Sequence, residues 1–279
     1  MSYTYLLLIS LGIAVITYIA CYLIKFNLPV ANHTFSFIAG LVTAVGLFVA
    51  APTLPVQKDS LVLIVGTSGE FPPFSFIQDG KAVGFDVDLI KEIEQRIDKK
   101  IEIKHMPFCT LLPSLQLGVI QIVASGLTAT PERAKQVLFT APYLENNPLV
   151  IVSLRSAPAN NLQELNNKEV VVNVGFTADL YMSTIQGPLL KRLKSTTEAF
   201  LALTSGRSAA VVTAQNTVQP FFDQYGTQLF HVAVIPNTDE HTALAITPKR
   251  PELLKQIQLT LDKIKKDGTL QKLIKKWRL

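Results

Sequence analysis

Downstream of residue 60, short apolar runs alternate with stretches in which apolar side chains recur every three or four positions. Leu61-Val-Leu-Ile-Val65 is apolar throughout and reads as a strand buried on both faces. Ile90, Ile93 and Ile97 follow at helical spacing, with Asp86 or Asp88 available as the cap. Ile101, Ile103 and His105 alternate with Glu102 and Lys104, as a half-buried strand does. Leu111–Leu117 predicts a short helix and Val119–Ala124 the next strand. Beyond Tyr143, strands are predicted at Leu149–Val152, Val170–Val174, Ala209–Val212, Val232–Ile235 and Ala243–Ile246. Helices are predicted from Ala178 and from Thr196, the latter opened by the capping-box pair Ser195 and Glu198. Glu252–Lys266 and Thr269–Trp277 are amphipathic closing helices separated by Asp267-Gly268. This alternation predicts an α/β fold with parallel sheets and helices on both sides. Two such sets, joined by Tyr143–Pro148, fit two lobes better than one continuous sheet.

The first 57 residues have a different pattern. They carry one of the chain's 26 Lys and Arg residues, Lys25, and none of its 21 Asp and Glu. Residues 5–24 are uncharged and long enough to cross a hydrocarbon layer of about 30 Å. Residues 35–52 form a second, shorter apolar segment with Gly40 and Gly46. Two transmembrane helices are therefore expected, with residues 1–57 as a membrane anchor. Lys25 between them places the connecting loop in the cytoplasm and everything after Pro55 outside. Two alternatives stay open: a signal peptide cleaved after Ala51, and a lipid-attachment site at Ile19-Ala20-Cys21. Nothing long and apolar interrupts residues 58–279, which puts them wholly outside the bilayer.

The remaining 25 basic and 21 acidic side chains are mixed along the rest of the chain and leave no nucleic-acid footprint, because Lys and Arg do not gather with aromatics on one element. The two cysteines, Cys21 and Cys109, are too far apart in character to bridge; Cys109, among Phe108, Leu111 and Leu112, reads as a packed thiol. The four histidines are dispersed, and no metal cluster or cofactor motif is evident.

Candidate chemistry centres on Val123-Ala-Ser-Gly-Leu-Thr-Ala-Thr-Pro-Glu-Arg133. Thr130 is a good N-cap, Pro131 suits the first helical position and Glu132 the first turn. Arg133 does not, because a cation there opposes the helix dipole. With the free N–H groups of the helix start it would make an anion site at a strand's carboxyl end, where open α/β sheets bind ligands. The alternative is a surface arginine beside Lys135.

Gly84-Phe-Asp-Val-Asp-Leu89, followed by an amphipathic helix, resembles the extracellular solute-binding proteins of polar amino-acid ABC transporters. Phe71-Pro-Pro-Phe74, Leu111-Leu-Pro-Ser-Leu115, Gly126-Leu-Thr128 to Arg133 and the ending Asp267-Gly-Thr-Leu-Gln-Lys-Leu-Ile-Lys-Lys-Trp277 support the resemblance, which covers about residues 60–279. It implies a two-lobed type II periplasmic-binding-protein clamshell, with residues 58–143 plus 242–279 as lobe one and 144–241 as lobe two. The hinge would lie near Tyr143-Leu144 and Glu240-His241-Thr242, and closure on a small-molecule ligand would signal to an ABC permease. By the same resemblance, Arg133 would hold the ligand's carboxylate by a bidentate fork, with the Gly126 N–H and Thr128 hydroxyl completing its shell. The Ser125 carbonyl would accept from the ligand ammonium, and Phe71 and Phe108 would sandwich its body, unless they are core. Thr177, in Gly175-Phe-Thr177-Ala178, would meet the same carboxylate or simply cap its helix.

One position departs from the family pattern. The aspartate that family members place after a Gly-Arg-x-Asp-Ala strand to pair with the α-ammonium falls here on Ala214, with Gln215 and Asn216 next; the often acidic first-loop position falls on Ser68. A buried ammonium without a carboxylate is costly, so Glu70 or another acid substitutes, or the ligand is not an ordinary α-amino acid. Three functions compete: a membrane-tethered solute-binding protein, a dehydratase of the cyclohexadienyl type with Glu70 as acid or base, and a ligand-sensing domain. No nucleophile-elbow, zinc-protease or phosphate-loop motif supports other catalysis.

Overall fold

The structure is a computed structural model that describes residues 62–279. The two predicted transmembrane segments lie outside the described residues, and among the described residues no helix is long and apolar enough to cross a membrane.

In chain order, β1 (Val62–Thr67) is followed by the antiparallel meander β2 (Glu70–Phe71), β3 (Ser75–Gln78) and β4 (Lys81–Val83), then α1 (Phe85–Glu94). Next come β5 (Lys100–His105), α2 (Phe108–Leu117), β6 (Ile122–Val123), the single-turn α3 (Pro131–Ala134) and β7 (Leu138–Phe139). The chain then crosses through β8 (Leu144–Asn147) into β9 (Leu149–Leu154), β10 (Glu169–Asn173), α4 (Thr177–Met182), β11 (Leu189–Leu193), α5 (Thr196–Thr204), β12 (Ala210–Ala214), α6 (Gln219–Tyr225) and β13 (Phe230–Val234). It returns through β14 (Glu240–Thr242) to β15 (Ala245–Ile246) and ends in α7 (Pro251–Lys266) and α8 (Thr269–Trp277).

These strands make two five-stranded sheets, ordered β5-β1-β6-β15-β7 and β11-β10-β12-β9-β13, and β8 pairs with β14 as an antiparallel crossing ribbon. The sheets are mixed, not parallel as the alternation suggested. In the first, β15 runs antiparallel to β6 and β7; in the second, β9 runs antiparallel to β12 and β13. The reason is where these two strands enter. Each arrives from the crossing ribbon, so it starts at the end where its parallel neighbours finish: Leu149 pairs with Ala214, and Ala245 with Val123.

The second sheet is covered on both faces. Leu149, Ile151, Val170, Val172 and Val212 pack with Met182 on one side; Val150, Val152, Val171 and Val211 pack with Phe200, Phe221 and Phe230 on the other. That is why its strands read as unbroken apolar runs. In the first sheet, Phe85, Leu89, Ile90 and Ile93 of α1 share a core with Leu253, Ile257, Leu261 and Leu270 of the C-terminal helices. The chain's end therefore completes the lobe in which its described residues began.

Several local expectations change. Neither Asp86 nor Asp88 caps α1; Gly84 does, and Asp86 turns inward and is fully buried. The strand at 119–124 shortens to β6, with Val119 half exposed (50%) in the turn before it. Cys109 is exposed, because α2 buries Leu111 and Leu115 and turns the residues beside Phe108 to solvent. The meander β2–β4, the edge strand β11 with Lys191 and Arg192, the ribbon strands and α6 carry too little apolar periodicity to be seen in the sequence.

Gly84 sits at φ +133, and a Cβ there would lie 2.2 Å from the Phe74 carbonyl oxygen. Gly84→Ala is expected to destabilise the fold by more than about 1 kcal/mol, because both the backbone conformation and the close approach reject a side chain. Urea unfolding of the two forms measures this; equal midpoints would contradict the argument.

Candidate functional site

Thr130 accepts a hydrogen bond from the Arg133 N–H (3.2 Å) in its role as N-cap of α3. The cap holds Arg133 so that its side chain runs inward: it is 6% exposed, and its Nη1 donates to the Thr128 carbonyl at 2.9 Å. Nη2 reaches across to the other lobe and donates to the Gly175 carbonyl at 3.0 Å. The guanidinium also lies 5.8 Å from the Phe108 ring centroid. The alternative of a surface arginine is therefore discarded.

Arg133 lines a cavity between the lobes with Phe71, Phe108, Gly126, Thr128, Thr177 and Glu240, among others. Six of the nine sequence-predicted site residues meet there: Arg133, Thr128, Gly126, Phe71, Phe108 and Thr177. Three do not. Ser125 is fully buried behind the cavity, where its hydroxyl donates to Ser68 Oγ at 2.8 Å and accepts from the Ser68 N–H at 3.1 Å. Glu70 lies in β2 outside the cavity lining, and its backbone carbonyl accepts from Thr196 Oγ1 at 2.9 Å. Gln215 is exposed just past β12; its backbone N–H donates to the Pro148 carbonyl and its carbonyl accepts from the Val218 N–H. Ala214 ends β12 in the cavity lining, whereas Gln215 opens the 3-10 turn Gln215–Thr217 and lies outside it.

Two members of the set are used differently from the expectation. The Gly126 N–H donates to Asp86 Oδ2 at 2.5 Å, so it is already occupied. Thr177 is the first residue of α4 rather than its cap, a position held by Phe176, and its hydroxyl donates to the Glu240 carboxylate.

Glu240 is the principal cavity residue that the sequence reading missed. It sits on the crossing strand β14 and is 6% exposed. The Ala129 N–H donates to the His241 carbonyl (3.0 Å) and Thr128 bridges Thr242, so β14 is zipped against the segment that leads to Arg133. Burial raises the Glu240 pKa to about 7, against opposing pulls from the Thr128 side chain and the Arg133 charge. Burial lowers the pKa of Arg133, and Glu240 counters it. Phe176 was also missed. It lines the cavity with its ring centroid 4.8 Å from that of Phe71 and 4.4 Å from that of Phe108. No local pattern marks either residue; only the crossing of the chain brings them in.

Behind the cavity, Asp86 accepts from Tyr143 Oη at 2.6 Å as well as from Gly126. It thereby links the start of α1, the cavity turn and the residue that leads into β8. Its burial raises its pKa to about 6, although both hydrogen bonds act in the other direction.

Two sheets joined by a two-stranded crossing ribbon, with a buried cavity between them, define a two-lobed periplasmic-binding-protein fold. Residues 63–279 match the family model of the bacterial extracellular solute-binding proteins, family 3, and the chain belongs to that family. It is 32% identical to the ABC transporter arginine-binding protein 1 of Escherichia coli (strain K12), covering 76% of this chain and 88% of that one. It is 30% identical to a probable histidine-binding protein of Campylobacter jejuni, covering 86% of this chain and 97% of that one. Among solved structures, an ancestral arginine-binding protein bound to arginine superposes with a TM-score of 0.74 at 36% identity, covering 79% of this chain and 99% of that one.

The two raised carboxyls imply a pH dependence of stability. The folded chain holds protons on Asp86 up to about 6 and on Glu240 up to about 7, whereas their ordinary values are 3.8 and 4.5. Their stabilising contribution is complete below the ordinary values and is lost as pH rises through the folded ones. The unfolding free energy in urea is expected to fall between about pH 4 and pH 7, by an amount on the order of a few kcal/mol. Glu240→Gln should flatten the upper part of that slope. Wild-type stability rising across this span would contradict the assignment.

Proposed function

We propose that this solute-binding protein captures an amino acid as its zwitterion between the two lobes and presents it to the permease of an ABC transporter. The observation that carries the reading is a buried guanidinium, Arg133, and a buried carboxyl, Glu240, lining one cavity with the aromatic walls Phe71 and Phe108. Arg133 receives the ligand's carboxylate by exchanging its Gly175 carbonyl partner for a charge-assisted fork. The hydroxyls of Thr128 and Thr177 support the same polar end. Glu240 takes the ammonium, the role for which Ala214 has no side-chain acceptor; this answers the departure at that position. Asn173 also lines the cavity, and its Oδ1 is buried without a hydrogen-bond partner, which offers an acceptor to a ligand donor.

On this reading residues 58–143 plus 242–279 and residues 144–241 are the moving lobes, and the β8–β14 ribbon is the hinge. Residues 1–57 tether the chain to the cytoplasmic membrane with the lobes on the periplasmic or extracellular side. The relatives named as arginine- and histidine-binding support the ligand class and the transporter. A dehydratase of the cyclohexadienyl type is the second reading. It is favoured by Glu240, whose carboxyl is held near 7, where a general acid works at neutral pH.

Mass spectrometry of small molecules retained by the purified chain tests both. An amino acid recovered unchanged after prolonged incubation supports binding; its conversion supports the enzyme. Arg133→Ala should weaken binding of the recovered ligand by roughly 2–5 kcal/mol, the usual cost of removing one partner of a buried charge pair. A change under about 1 kcal/mol in calorimetry would remove Arg133 from the site.

A further inference from the structure

Phe176 belongs by sequence to the second sheet, where it precedes α4, yet its ring packs into the core cluster of the first lobe with Phe71 and Phe74. Its backbone is tied on both sides: its N–H donates to the Asn173 carbonyl and its carbonyl accepts from the Leu180 N–H, each at 3.1 Å. Phe71 has no room to retreat from it, because it is stacked on Phe74 at 5.3 Å. The ring therefore packs on both aromatic walls and lines the cavity between them. The free space left is about 20 Å³, where one water needs roughly 10–15 Å³, so any amino acid gains its room by displacing groups of the lining, the exchangeable polar contacts of Arg133 and Thr177 before the packed ring. Opening the lobes withdraws Phe176, but closure returns it to the same place. A long ligand side chain has to occupy the space to which the ring returns.

The charges point the same way. Among the residues lining the cavity, Arg133 and Glu240 are the charged ones. A zwitterion's carboxylate and ammonium use both. The acid that a cationic side chain needs is absent from the lining: Ser68 stands in the first loop, fully buried and bonded to Ser125, and Glu70 lies outside the cavity. A third ligand charge would be desolvated without a counter-charge, which is costly.

We infer that Phe176, together with the single opposite-charge pair of the cavity, restricts the ligand to amino acids with small uncharged side chains, in contrast to the relatives named for arginine and histidine. This rests on the zwitterion reading above. The test is calorimetric titration of the full chain with glycine, L-alanine, L-serine, L-glutamine and L-arginine. The wild type should bind at least one of the first three, with L-glutamine and L-arginine weaker by at least about tenfold, as steric exclusion of extra side-chain atoms gives. Phe176→Ala should improve L-glutamine relative to L-alanine by at least about tenfold and leave L-arginine weak, since the charge argument is untouched. Phe176→Leu, which keeps apolar volume at the core, should shift the same ratio in the same direction by less. Wild-type binding of L-arginine or L-glutamine as tight as that of the best small amino acid overturns the inference and leaves the zwitterion reading standing. A ratio unchanged in the variants removes Phe176 as the determinant. Binding of none of the five amino acids defeats the zwitterion reading and this inference with it.

Discussion

The burial of a guanidinium and a carboxyl in one cavity between two lobes is the constraint on which the rest depends. Arg133 and Glu240 are each 6% exposed, and burial opposes the charged form of both. Neither is held there by its own element alone. The Thr130 cap turns Arg133 inward from a helix of one turn, and the bridge between Thr128 and Thr242 fixes β14 beside it. On the proposed reading, a cavity prepared in this way has met much of the desolvation cost before a ligand arrives, and a zwitterionic guest recovers it.

The polar contacts between the lobes involve the same two groups and one further pair. Arg133 reaches the Gly175 carbonyl, the Thr177 hydroxyl reaches Glu240, and Thr196 Oγ1 reaches the Glu70 carbonyl. Polar closure contacts of this sort are exchangeable: a carboxylate replaces a carbonyl on the guanidinium at small cost and with a stronger bond. The aromatic contact of Phe176 with Phe71 and Phe108 is different, because it offers a ligand nothing to exchange except displacement. Asp86 connects the cavity to the crossing ribbon, since one carboxyl holds both the Gly126 turn and the Tyr143 hydroxyl at the approach to β8.

Much of the fold is legible in the sequence because local physics decides it. The runs from Val62, Leu149 and Val170 are apolar on both faces and have no stable place except inside a covered sheet. The C-terminal helices announce themselves by a stripe of Leu and Ile against Lys. Arg133 is legible for the opposite reason: it contradicts its own helix start, and a local conflict of that kind marks a site. The short strands β2–β4, the edge strand β11 and the ribbon escape notice because two to five half-exposed residues carry no usable period.

By itself the sequence determined the α/β class, the family, the apolar segments before residue 58 and the arginine at the heart of the cavity. Tertiary structure alone decided which acid answers that arginine. Glu70 and Gln215 lie beside plausible loops but outside the cavity, whereas Glu240, more than a hundred residues from Arg133, lies inside it. It alone decided, too, that Asp86 is buried behind the cavity and that Phe176 crosses into the other lobe's core. The physical reason is one and the same: periodicity and caps record what a residue does to its own element, while pairing across a chain crossing depends on the register of strands far apart in sequence, which no local pattern encodes.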